Sequence, residues 1–147
     1  MVKFINKSLF FLSLLCVVQS AFAEQVEKRD NYKIHYSAFG STVLKPEIAS
    51  HYQLVRSRYQ GVINIAVTQA KGTIHKPTTA IVTGRTRNLL GQTQKVVFKE
   101  IREGEAIYYL GSFRFNNEEH LSFDISVKPD ANEPPYSVSF KKKFFVD

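Results

Sequence analysis

The sequence predicts an all-β protein, an immunoglobulin-like antiparallel β-sandwich of seven or eight strands with one short helix. Three observations carry that expectation. Apolar residues recur at every second position in run after run, which is the period of a strand with one buried face. Between the runs stand Gly, Asn, Asp and Pro clusters that favour turns. Only one segment has the marks of a helix, and it lies within a long connection of the kind a Greek-key crossing requires.

Taken in order, Tyr32, Ile34, Tyr36 and Ala38 alternate with Lys33, His35 and Ser37. The segment Pro46-Glu47-Ile48-Ala49-Ser50-His51-Tyr52 then reads as helix. Pro46 suits the first helical position and Glu47 suits the positive end of the helix dipole. Lys45 is a poor N-cap, so a turn or two is expected. Strand periodicity resumes at Ile63, Ile65 and Val67, then at Ala80 and Val82, then at Val96 and Phe98. Ile107, Tyr109, Phe113 and Phe115 make the next run, followed by Leu121, Phe123, Ile125 and Val127. Tyr136, Val138 and Phe140 open the last run, which ends in Phe144-Phe145-Val146-Asp147. Turn signals at Lys71-Gly72, Leu90-Gly91, Glu103-Gly104-Glu105, Asn116-Asn117 and Pro129 to Pro135 separate these runs. Because the long connection through the 40s and 50s interrupts the meander, a sandwich is favoured over a closed barrel.

The first 23 residues read as a secretory signal peptide, leaving residues 24–147 as a single domain. Lys3 and Lys7 precede a mostly apolar run from Leu9 to Val18, and Ala21-Phe22-Ala23 offers small residues for cleavage before Glu24. The apolar run is shorter than the roughly 20 residues a membrane-spanning helix needs. No transmembrane segment is therefore expected in the mature chain, which is expected to be secreted. Cys16, the only cysteine, follows Leu14-Leu15 rather than a small residue, so lipidation is not expected and it leaves with the leader. The mature domain then has no disulfide and no thiolate or thioether metal ligand. With 18 Lys and Arg against 13 Asp and Glu, its formal charge is +5, which favours anionic partners.

Histidines 35, 51, 75 and 120 lack the paired spacing that announces zinc, so no metal and no other cofactor is expected. A Gly-x-Ser-x-Gly elbow and a Gly-rich phosphate loop are both missing. His35 and Ser37 share a strand face near Asp30, the one arrangement that a small hydrolase could use. The acidic residues Glu100, Glu103, Glu105, Glu118 and Glu119 read as turn residues in solvent.

The stretch Thr83-Gly84-Arg85-Thr86-Arg87-Asn88-Leu89-Leu90-Gly91-Gln92 puts two arginines two residues apart before a turn. Ala80, Val82, Gly84 and Thr86 would share one face of this strand, leaving Arg85 and Arg87 outward. A following strand over Gln94–Ile101 would bury Val96 and Phe98 and turn Lys95, Val97 and Lys99 outward. Buried faces coincide only across an odd-length loop, and Leu90-Gly91-Gln92 fits, with Gly91 free to take positive φ. That register sets Arg87 opposite Lys95, with Arg85 and Lys99 diagonally near. Like charges facing across a ladder repel, so the loop splays them or an anion sits between them.

The phrases His35-Tyr36-Ser37-Ala38-Phe39, Asn88-Leu89-Leu90-Gly91-Gln92, Glu100-Ile101-Arg102-Glu103-Gly104 and the terminal Phe145-Val146-Asp147 resemble a family of small secreted proteins of Gram-negative bacteria, domain of unknown function 4426. The likeness spans essentially the whole mature chain. It implies a periplasmic location and a β-rich fold, and it brings no activity or catalytic residue. The expected function is a non-catalytic periplasmic binding or accessory module. Its basic strand face, Arg85, Arg87, Lys95 and Lys99, would hold an anionic envelope component or contact another periplasmic protein. No nucleic-acid partner is expected. The hydrolase around His35 and Ser37 is the alternative, and a histidine metal carrier comes third.

Overall fold

The computed structural model describes residues 24–147; the expected leader, with Cys16 and the Ala21-Phe22-Ala23 site, lies outside the described residues. The chain runs β1 (Gln25–Arg29), β2 (Tyr32–Gly40), a 3-10 turn (Ser41–Val43), α1 (Pro46–His51), β3 (Gln60–Lys71) and β4 (Ile74–Thr78). It continues as β5 (Ile81–Asn88), β6 (Thr93–Val96), β7 (Phe98–Glu103), β8 (Ala106–Arg114), β9 (Glu119–Lys128) and β10 (Tyr136–Phe144). Two antiparallel sheets result. The first has the order β1-β2-β3-β8-β7 with β4 also on β3, and the second has the order β10-β9-β5-β6. Strands β2, β3, β8 and β7 follow the A-B-E-D order of an immunoglobulin domain, and β5, β9 and β10 follow its C-F-G order.

The period-two residues are the ones that fill the space between the sheets. Ile34, Ile63, Ile65 and Val67 from the first sheet and Phe123, Val127 and Val138 from the second are fully buried. Each such side chain contributes roughly 1.5–3 kcal/mol of apolar transfer. An aromatic cluster joins the layers. Phe123 stacks on Phe140 with centroids 4.5 Å apart and meets Phe113 edge-on at 5.0 Å. The Phe113 ring lies over Gly61, where any Cβ would collide with it. Gly61 is thus required by close approach, as the backbone of β3 passes beneath a ring from β8.

Ten strands form where seven or eight were expected, for two reasons. β1 (QVEKR) and β4 (IHKPT) are edge strands whose mixed polar composition shows no apolar alternation. Pro77 in β4 is compatible only with an edge, and in sequence it reads as a loop. The run around Val96 and Phe98 is two strands rather than one. β6 pairs with β5 in the second sheet and β7 pairs with β8 in the first, with the chain passing between sheets at Val97. This passage closes one flank of the sandwich covalently.

The opposite flank is closed by side chains. Arg29 Nη2 donates to the Ser137 carbonyl at 3.1 Å, linking β1 to β10. Lys142, on the inward face of β10 between Phe140 and Phe144, donates to the Ala38 carbonyl of β2. Burial pushes the Lys142 ammonium below the ordinary lysine value. An inward lysine on an edge strand also discourages edge-to-edge pairing with another chain. The expected helix is present as six residues, with Pro46 in its first turn, Glu47 beside it and no side-chain cap from Lys45. No helix among the described residues is long and apolar enough to cross a membrane.

Candidate functional site on the outer face of the second sheet

The β5–β6 hairpin positions the arginines. Asn88 organises its turn: its Oδ1 accepts from the backbone N–H groups of Leu90 (3.1 Å) and Gln92 (2.9 Å). Its Nδ2 donates to Gln92 Oε1 at 2.7 Å and to Glu119 Oε1 at 3.2 Å. The loop is therefore Leu89-Leu90-Gly91, closed by Asn88 N–H to the Gln92 carbonyl at 3.0 Å, with Gly91 at φ +79°. It has the odd length the sequence requires but begins one residue earlier than expected, because the Asn88 side chain captures the following N–H groups. Pairing shifts with it: Arg85 stands opposite Lys95, and Arg87 opposite Thr93.

The like-charge pair has an internal counter-ion. Asp124 is the β9 partner of Arg85, with Oδ2 3.7 Å from Arg85 Nε, and its Oδ1 accepts from Ser139 Oγ at 3.1 Å. One row thus runs Ser139–Asp124–Arg85–Lys95 across four strands. The neighbouring row runs Lys141–Ser122–Arg87–Thr93 and contains no acid. At the usual strand spacing of about 4.8 Å, Lys141 and Arg87 flank Ser122 at roughly 5 Å on either side. Lys128 and Lys143 extend the same outward face. A shallow depression of about 430 Å³ lies along it, lined by Thr83, Arg85, Lys95, Asp124, Ser126 and Ser137.

Lys99 does not join this group. Being on β7 it belongs to the first sheet, and its Nζ donates to Gln53 Oε1 at 3.0 Å on the opposite side of the sandwich. Lys141 and Lys143 take its place, and sequence reasoning missed them although alternation from Val138 and Phe140 puts both outward. What alternation could not supply was their neighbour, since β10 reaches Arg87 only through β9.

His35 and Ser37 lie on the outer face of β2, opposite Ala66 and Asn64. His35 Nδ1 contacts Glu24 Oε1 at 3.2 Å. No hydrogen bond joins His35 to Ser37 among the described residues. Nor do three or more His, Cys, Asp or Glu among those residues gather where they could hold a metal ion.

At the far end of the sandwich, Tyr136 donates to Asp30, and this bond pushes the phenol up to about 12. Burial raises the Tyr109 phenol as well; its oxygen accepts from the Ala80 N–H at 2.8 Å and donates to Glu100 at 2.9 Å. This pins the passage from β4 to β5, which is a structural duty.

Comparison with known proteins agrees with this architecture. A crystal structure of a DUF4426 family protein from Pseudomonas aeruginosa is similar at 40% identity and a TM-score of 0.72, covering 84% of this chain and 96% of that one. FetP of uropathogenic Escherichia coli strain F11, recombinantly expressed in the periplasm, matches at a TM-score of 0.60 and 10% identity over 82% of this chain and 93% of that one. A copper-bound variant of that FetP matches at 0.57 and 11%, covering 83% and 95%. At such identity these two share the fold. No curated protein matches the chain. The family model for domain of unknown function DUF4426 matches residues 26–147, so the chain belongs to that family.

Proposed function

We propose that the protein is a non-catalytic binding or accessory module of the periplasm that docks on a phosphate-bearing envelope surface. The contact is the outer face of the second sheet, through Arg85, Arg87 and Lys95 with Lys128, Lys141 and Lys143. One observation carries this reading: among the described residues six cations share that face with a single acid, Asp124. Ser122, Ser126, Ser137, Thr83 and Thr93 lie among them and supply hydroxyl donors to phosphate oxygens. A flat, wet, basic face suits an extended anionic surface better than a small substrate. The signal-like first 23 residues support a periplasmic location, as does the periplasmic expression of the similarly folded FetP. The copper of the FetP variant is not carried over, because no group of three or more His, Cys, Asp or Glu that could hold a metal ion is present among the described residues.

Co-sedimentation with phosphatidylglycerol vesicles tests the proposal, with phosphatidylcholine vesicles as the neutral control. Wild type sediments at low salt with the anionic lipid alone, and binding fades as the Debye length falls toward about 8 Å at physiological ionic strength. Arg85→Glu with Arg87→Glu abolishes sedimentation while lowering the melting temperature by no more than a few degrees, since the exposed Arg85–Asp124 pair it breaks is worth about 0–1 kcal/mol. A wild type that never sediments at low salt reduces the face to a solubility device. Intact mass of secreted protein beginning at Glu24 checks the location.

A further inference from the structure

A second cavity lies on the opposite side of the sandwich, between α1 and the outer face of the first sheet. Its volume is about 310 Å³. The connection that carries the helix is closed on itself by polar bonds between its two ends. Ser41 Oγ accepts from the Ser57 N–H at 2.8 Å and donates to the Ser57 carbonyl at 2.9 Å. Arg56 donates to the carbonyls of Leu44 (2.9 Å) and Thr42 (3.1 Å). On the far side, the Lys99–Gln53 bond ties β7 to the end of the helical segment.

Leu44, Ile48 and Leu54 form the roof, and Val62, Ile101 and Leu110 form much of the floor. Ile48 is 43% exposed although it lines an apolar space, so the cavity opens to solvent beside it. Asn64 is set into this floor, and its Oδ1 is buried with no hydrogen-bond donor. A buried acceptor left unmatched is a cost to the fold that a ligand carrying a donor would recover. Among the described residues Glu103 is the only charged one in the lining, and no Lys, Arg or His contributes. The space is therefore mostly apolar, offers Asn64 Oδ1 as an unpartnered acceptor, and with its one carboxylate disfavours anions. An engineered cavity of about 150 Å³ holds benzene, so roughly twice that volume suits a two-ring body.

We propose that this cavity binds a small apolar molecule of one or two rings that carries an N–H or O–H donor and no negative charge, with Asn64 as the acceptor. It is separate from the basic face in place and in ligand chemistry, so either site can fail without the other.

Calorimetric titration with indole, 1-methylindole and indole-3-acetate tests it directly. Indole binds saturably; 1-methylindole, lacking the donor, binds about tenfold more weakly; and indole-3-acetate at least tenfold more weakly. Asn64→Leu removes the difference between indole and 1-methylindole without lowering the melting temperature, because Asn64 Oδ1 has no hydrogen-bond partner among the described residues to lose. Ile48→Trp, a change at a half-exposed helix position, fills the opening and abolishes indole binding. Absence of saturable indole binding at millimolar concentration overturns the proposal, as does equal affinity for the methylated or carboxylate analogue. A concentration-dependent dimer that Ile48→Trp dissociates would assign the cavity to a second copy of the chain and overturn it too.

Discussion

Asp124→Asn is the sharpest perturbation of the basic face, because it should weaken the fold slightly while strengthening docking. Asp124 is the one acid on the face among the described residues, 3.7 Å from Arg85 Nε, with the two side chains 36% and 60% exposed. An ion pair that open to water is worth about 0–1 kcal/mol. Its loss also leaves Arg85 facing Lys95 without a counter-ion, which adds a few tenths of a kcal/mol. Asparagine keeps an oxygen to accept the Ser139 hydroxyl, so that bond survives. The expected cost is therefore about 1 kcal/mol or less, a melting-temperature drop of a few degrees for a domain of this size. Docking moves the other way. One added net positive charge near an anionic bilayer is worth about 1 kcal/mol, or roughly fivefold in affinity. Sedimentation with phosphatidylglycerol vesicles at low salt, followed by a salt series, reads the effect beside thermal melts. Tighter binding that disappears at high salt is the expected result. Unchanged or weaker binding by a folded Asp124→Asn protein would refute the electrostatic account.

Gly61→Ala should cost about 1–3 kcal/mol in urea unfolding, because the new methyl enters space held by the Phe113 ring. The same change in a Phe113→Leu background should cost much less, and an equal cost there would show that the ring is not the obstacle. Asn88→Ala removes the acceptor that gathers Leu90 and Gln92, and should destabilise by about 1–2 kcal/mol while broadening the amide signals of Arg87 and Thr93. At alkaline pH the Tyr136 phenol keeps its proton until about 12 in the folded chain, against an ordinary 10 when unfolded. The unfolded state loses its proton first, so this contribution is complete below pH 10 and is lost as pH rises toward 12. Melting curves from pH 9 to 11.5 should fall more steeply for wild type than for Tyr136→Phe, and parallel curves would contradict the Asp30 bond.

Residue order alone determines the local properties of this chain. Alternation in Tyr32–Ala38, Ile63–Val67 and Leu121–Val127 selects strands and assigns each side chain inward or outward, because a strand's period of two is a property of the backbone. The same logic turns Arg85, Arg87 and Lys95 outward, gives the hairpin an odd loop and supplies a left-handed glycine at position 91. Pro46 and Glu47 likewise suffice for one short helix. Strand neighbours are another matter. Val96 and Phe98 both point inward whether the chain stays in one sheet or crosses to the other, so alternation cannot report the crossing at Val97 that carries Lys99 away from the arginines. Polar β1 and β4 become strands only because β2 and β3 offer them unpaired backbone edges. Lys141 meets Arg87 across Ser122, and α1 roofs a cavity over Asn64, through contacts between residues far apart in sequence. Those contacts depend on which apolar faces are buried together, and burial is decided only when the two sheets pack.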